Sequence, residues 1–174
     1  AQSPFGEQYD SLADMLAFGV APAILIYSFA LEPLGRIGIG CAFVFTACAA
    51  FRLARFNVQV GIVDKKYFVG LASPLAAILV TSAVMVAVDH NEWIGKYDTL
   101  FAAWVVTCGL LMVSNVKYYS FKEFDKKKVP FVVLIIGVLV MSIVLYDIPV
   151  GILAIGIIYA LSGIVTTIKT KVKS

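Results

Sequence analysis

The stretch FVVLIIGVLVMSIVLY, Phe131–Tyr146, decides the fold class. It carries no charge, and its apolar residues follow one another without alternating. A strand of a membrane barrel needs about ten residues with one apolar and one polar face, so this stretch is not such a strand. A segment apolar on every side is a helix buried in a large core or in a membrane. The charge-free run around it extends over Val129–Tyr146, and after Asp147 a second run covers Ile148–Ile168.

Four more charge-free runs lie upstream: Met15–Leu31, Ile37–Phe51, Tyr67–Val88 and Thr99–Val116. About 20 apolar residues, rising 1.5 Å each, cross a hydrocarbon layer of roughly 30 Å. The first two runs reach that length only by taking in Asp14 at one end, or Arg52 and Arg55 at the other. Ionisable groups inside a span are costly, and they face a bundle interior or a wet cavity. Composition agrees with this reading: of 174 residues, 61% are hydrophobic and 14% charged, with mean hydropathy +0.94. A soluble domain carries about 25% charged residues. Soluble enzymes, disordered regions and secreted disulfide modules are thereby excluded. The expected fold is all-α, a polytopic helical membrane protein with six visible transmembrane helices in a single domain over residues 1–174.

The helix breakers fit those spans. Pro130 and Pro149 fall at helix starts, where a missing N–H costs little, and Pro33 lies in a short turn. Pro22, after Gly19, sits inside the first span and predicts a kink or local opening there. Cys41, Cys48 and Cys108 all lie within spans with no Cys-x-x-Cys pair, so they read as small buried apolar residues rather than metal ligands or disulfide partners. The one histidine, His90, reads as a surface residue in a loop.

Alternating the loops between two sides places 12 of the 14 basic residues on one of them. That side holds the N-terminus, Arg52–Gly70, Lys117–Lys128 and the tail after Ile168. The positive-inside rule makes it cytoplasmic. Lys126–Lys128 and Lys169–Lys173 read first as this orientation signal, and second as contacts to anionic membrane lipids. The opening AQSPFGEQYDS has no basic n-region, so a signal peptide is not expected. Nothing points to nucleic acid.

Three features on the cytoplasmic side can carry chemistry. In GEQYDSLAD, Gly6, Asp10 and Asp14 are spaced i, i+4, i+8 and share a helix face. Two carboxylates one turn apart repel, and a hard divalent cation would relieve that repulsion. Helix capping by acidic residues is the competing account, better for Asp10 than for Asp14. In FRLARFN, Arg52 and Arg55 stand three apart, so both guanidinium groups can face one phosphate or carboxylate. Snorkelling to the interface explains them too, and on this segment alone it is the simpler account. In FVGLASP, Gly70 and Pro74 either shape a re-entrant approach to a site or form an ordinary turn-to-helix junction.

Together these segments resemble the CDP-alcohol phosphotransferase family, whose signature runs Asp-x2-Asp-Gly-x2-Ala-Arg-x8-Gly-x3-Asp-x3-Asp. Gly6-x3-Asp10-x3-Asp14 is similar to its second half. The chain begins inside the x8 gap, so the first half is expected upstream, with two further helices making eight. SLADMLAFGVAPA, RLARFN and GLASP are similar to the phosphatidylserine synthase branch of bacterial and archaeal type, with Ala72 where that branch has proline. The specific motifs cover about Ser3–Pro74.

The resemblance implies transfer of a phosphatidyl group from CDP-diacylglycerol to L-serine, giving phosphatidylserine and CMP. It implies Mg²⁺ or Mn²⁺ as cofactor, with Asp10 a metal ligand, Asp14 a metal contact and the general base, and Gly6 against the cytidine nucleotide. Arg52 and Arg55 are the candidates for the serine carboxylate or the lipid-linked phosphate. It further implies a homodimer in the cell membrane with the active site facing the cytoplasm. The nearest alternative is a sibling enzyme with another acceptor alcohol, such as glycerol 3-phosphate, an inositol phosphate or choline. A small transporter is disfavoured, because transporters place polar groups near the midplane and these charges cluster at one end.

Overall fold

The computed structural model describes residues 4–59, 67–89, 96–119 and 131–172. His90, Lys126–Lys128 and Lys173 lie outside the described residues, as do the side chains of Lys169 and Lys171.

The chain opens with α1 (Pro4–Met15), which runs through a π-helical turn (Leu16–Val20) into α2 (Ala21–Ile26). A second π-helical turn (Tyr27–Leu31) and a short 3₁₀ turn (Glu32–Leu34) end this rod. The opening predicted near Gly19 and Pro22 therefore takes the form of a π turn. Pro22 has no N–H to give the preceding turn, and a wider turn absorbs the missing bond without ending the helix. Next come α3 (Arg36–Gln59), α4 (Ser73–Asp89), α5 (Asp98–Val113), α6 (Phe131–Tyr146) and α7 (Ile148–Val172).

Among the described residues, three helical segments are long and apolar enough to cross a membrane: Gln8–Leu34, Arg36–Val58 and Ile148–Thr167. Ser73–Asp89 and Asp98–Val113 are shorter apolar helices. An all-α polytopic membrane architecture results, with six helical rods among the described residues. Two charge-free runs overshoot their helices. The run from Tyr67 is split, because Tyr67–Val69 is a strand, β1, and α4 begins only at Ser73. The run from Thr99 leaves α5 at Val113, and a second strand, β2, follows at Lys117–Tyr119. Absence of charge measures hydropathy and says nothing about where the backbone stops coiling. β1 and β2 pair antiparallel, with Phe68 opposite Tyr118.

Small residues let the helices approach closely, as expected where lipid gives helix association little hydrophobic drive. A Cβ on Gly109 of α5 would stand 3.3 Å from the Cα of Phe45 in α3. Phe45, Cys48 and Cys108 are buried at that crossing, so the cysteines serve as small apolar groups. The Trp104 indole N–H donates to the Leu79 carbonyl at 3.3 Å and ties α5 to α4. At the end of the bundle, Tyr118 of β2 is buried against α7. Its ring lies over Gly163, stacks on Tyr159 at 5.4 Å, and its hydroxyl donates to the Ala160 carbonyl at 3.4 Å.

Candidate active site

All three motifs come together at one end of the bundle, around the last turns of α3. Gly6, Asp10 and Asp14 all lie on α1, as their spacing requires. Gly6 and Asp10 are exposed and Asp14 is half-buried. Helix capping does not account for the aspartates: α1 starts at Pro4, so Asp10 lies mid-helix and Asp14 one residue from the end. The positive end of the helix dipole acts only over the first turn. Two carboxylates therefore stand one turn apart, without help from a helix terminus.

Arg52 does not snorkel. It is only 6% exposed, and its Nε donates to the Leu71 carbonyl at 3.2 Å. Its guanidinium also lies 5.9 Å from the centre of the Phe56 ring. Among the described residues its two Nη groups have no hydrogen-bond partner, and no carboxylate pairs with it. Burying a cation this far is expensive unless an anion compensates it. Arg55 is engaged otherwise. Its Nη1 donates to the Val113 carbonyl at 3.3 Å and its Nη2 to Asn115 Oδ1 at 2.9 Å. Within the protein the two guanidinium groups thus have different hydrogen-bond partners. Although three residues apart, they part to different segments: Arg52 meets a carbonyl of the turn before α4, and Arg55 meets the carbonyl that ends α5 together with Asn115 just beyond it.

Gly70 forms a turn-to-helix junction. Its φ is +81°, its N–H donates to the Val116 carbonyl at 2.8 Å, and the Leu71 N–H donates to the Leu111 carbonyl at 3.0 Å. A Cβ at Gly70 would run into the Met112 carbonyl. This turn fixes the carbonyl of Leu71 that Arg52 holds, and leads directly into Ser73, the buried first residue of α4. Pro74 follows in the first turn, where proline costs no hydrogen bond.

Sequence reasoning overlooked Ser11, Asn57 and Asn115. Asn57 Nδ2 donates to Ser11 Oγ at 2.9 Å, joining the end of α3 to α1 between the two aspartates. Asn57 stood inside the quoted RLARFN motif and Ser11 inside GEQYDSLAD. Asn115 carried no signal, since its partner Arg55 is 60 residues away.

The donor set suits a hard divalent cation in kind, being carboxylate oxygen, and also in number. Mg²⁺ is typically held by one or two carboxylates with substrate phosphates and water supplying the rest. Among the described residues no group of three or more His, Cys, Asp or Glu side chains converges.

Fold and site together define a polytopic helical membrane protein whose acidic pair and buried arginine share one end of the bundle. Residues 1–113 match the CDP-alcohol phosphatidyltransferase family, and the chain belongs to it. It is 40% identical over 121 residues to a CDP-diacylglycerol–serine O-phosphatidyltransferase of Helicobacter pylori, covering 70% of this chain and 51% of that one. A protein of the same name from Methanocaldococcus jannaschii is 35% identical over 167 residues, covering 96% of this chain and 72% of that one. An archaetidylserine synthase of Methanothermobacter thermautotrophicus is 39% identical over 115 residues, covering 66% and 45%. The chain thus spans about half the length of the Helicobacter relative.

Proposed function

We propose that this protein transfers the phosphatidyl group of CDP-diacylglycerol to L-serine, releasing CMP. The observation that carries the proposal is Arg52: a guanidinium 6% exposed, with both Nη groups lacking a partner among the described residues, beside the start of α4. A planar fork of N–H donors suits a carboxylate or phosphate, and serine brings the first while the liponucleotide brings the second. The names of the relatives from Helicobacter and Methanocaldococcus support serine as the acceptor.

In this scheme Asp14 is the general base. It takes the serine hydroxyl proton, the serine oxygen bonds to the lipid-side phosphorus, and the bond to CMP breaks with its electron pair leaving on CMP. A base must lie within hydrogen-bond reach of the proton it removes, and half-buried Asp14, next to the apolar span, is better placed for a lipid-linked phosphate than exposed Asp10. Asp10 and Asp14 would hold Mg²⁺ or Mn²⁺, which when bound neutralises the diphosphate and the departing phosphate. Gly6, one turn before Asp10, presents no side chain and leaves room for the cytidine. Arg52 orients the anionic end of the acceptor, and Arg55 supports it by holding Val113 and Asn115 in place. The positive-inside count supports a cytoplasmic site, where serine is found, and the scheme includes a homodimer.

The test is CMP release by purified protein in lipid nanodiscs with CDP-diacylglycerol and each acceptor in turn. Turnover with serine, lost in Asp14→Asn, is expected. Turnover with glycerol 3-phosphate or an inositol phosphate but not serine would replace the proposal by a sibling activity. Full activity in Asp14→Asn would remove the assigned base.

A further inference from the structure

α1 is the least anchored part of the site. Phe5 is 79% and Leu12 67% exposed, and none of its residues with described side chains is fully buried. Apolar packing takes hold only at its end. Met15 packs against the core, and Gly19, in the following π turn, lies close to Ala49 of α3. Something other than core packing must therefore set how the outer turns of α1 are rotated about their axis.

Ser11 and Asn57 supply it. At about 100° per residue, Asp10 and Asp14 lie about 40° apart around α1, and Ser11 lies about 60° beyond Asp14. Met15 lies about 40° beyond Ser11, so Ser11 and Met15 form the edge of α1 turned toward α3. Asn57 meets that edge one turn further out than Met15 does, through the 2.9 Å bond from its Nδ2 to Ser11 Oγ. With Ser11 held, the acidic face is held at a set angle beside it. With Ser11 released, the outer turns can twist, and the two carboxylates move together relative to α3. The same last two turns of α3 carry Arg52 and Arg55, so one helix end registers the acidic face against the anion-binding arginine.

We propose that Asn57 is a positioning residue: by donating to Ser11 it fixes the rotation of α1 and so holds Asp10 and Asp14 in the orientation that binds a divalent cation. This rests on the acidic pair being the cation site, and the experiment separates the two. Mn²⁺ affinity is measured by electron paramagnetic resonance on the full chain in nanodiscs, without substrate, alongside its apparent melting temperature. Asn57→Ala and Ser11→Ala are each expected to weaken Mn²⁺ binding roughly three- to tenfold, the range one net hydrogen bond supports. The double variant is expected to bind no worse than either single one, since both remove the same bond. Ser11→Thr keeps a hydroxyl and is expected to keep wild-type affinity. Wild-type affinity in Asn57→Ala, losses that multiply in the double variant, or a loss that Ser11→Thr shares would overturn the role of Asn57. Wild-type affinity in Asp10→Asn and Asp14→Asn would instead remove the cation site itself.

Discussion

Replacing Gly70 by alanine loads two separable penalties onto one methyl group. The backbone there has φ +81°, and an L-residue in the left-handed region costs about 1–2 kcal/mol. The new Cβ would also meet the Met112 carbonyl, which is backbone and cannot rotate away. Forcing an atom into a packed site costs about 1–3 kcal/mol, so the sum is about 2–5 kcal/mol. At about 2–4 °C per kcal/mol for a chain of this size, the apparent melting temperature falls by roughly 4–20 °C. Two other glycines divide the sum. Gly35 also has positive φ, +56°, but nothing lies within 4 Å of its Cβ position. Gly35→Ala therefore carries the conformational penalty alone and falls by less. Gly40 lies in α3 with open space around it and no positive φ. Gly40→Ala gains about 0.5–1 kcal/mol of helix propensity and melts at or slightly above wild type. Thermal unfolding in nanodiscs, followed by tryptophan fluorescence, ranks the three. Equal melting temperatures for Gly70→Ala and Gly40→Ala would show that the turn is not held against α5 as described.

Other outcomes follow from the same geometry. Arg52→Ala is expected to raise the serine KM at least tenfold, and Arg52→Lys to restore little of it, because lysine keeps the charge but not the planar fork; initial rates of CMP release decide. Arg55→Ala loses bonds to Val113 and Asn115, so it should lower the melting temperature with a smaller change in serine KM, and a larger KM effect than that of Arg52→Ala would reverse the two roles. Tyr118→Phe gives up only a 3.4 Å hydrogen bond and should cost less than about 1 kcal/mol, whereas Tyr118→Ala empties the space over Gly163 and should cost about 3–5 kcal/mol; equal melting temperatures would place the ring outside the core. Asp10→Asn is expected to weaken Mn²⁺ binding while keeping residual turnover, and Asp14→Asn to abolish turnover, because Asp14 alone is the proposed base; matched losses of rate would contradict that division.

The spacing of Gly6, Asp10 and Asp14 was readable from the chain, since a helix places i, i+4 and i+8 on one face wherever it sits. The partners of the arginines were not. Arg52 and Arg55 offered a shared face, yet one reaches a carbonyl 19 residues on and the other an amide 60 residues on. Spacing along a helix limits where a side chain can start, but which acceptor it meets depends on where other helices end. The β1–β2 pair was hidden for a related reason: both strands sit at the edges of apolar runs, and three residues are too few to show a period of two.

Hydropathy and charge are properties of each residue in turn, so the sequence by itself determined that the chain is helical and membrane-embedded, along with the positions of its acidic and basic motifs and their shared end. Tertiary structure alone decided that Arg52 is buried with both Nη groups unpartnered among the described residues while Arg55 bonds to Val113 and Asn115, that Gly70 stands against the Met112 carbonyl, and that Asn57 donates to Ser11 of α1. Each of these joins segments far apart in the chain. Their contact depends on how closely small residues such as Gly109 let the helices approach, and that closeness is a sum over the whole packed bundle rather than a property of any one stretch.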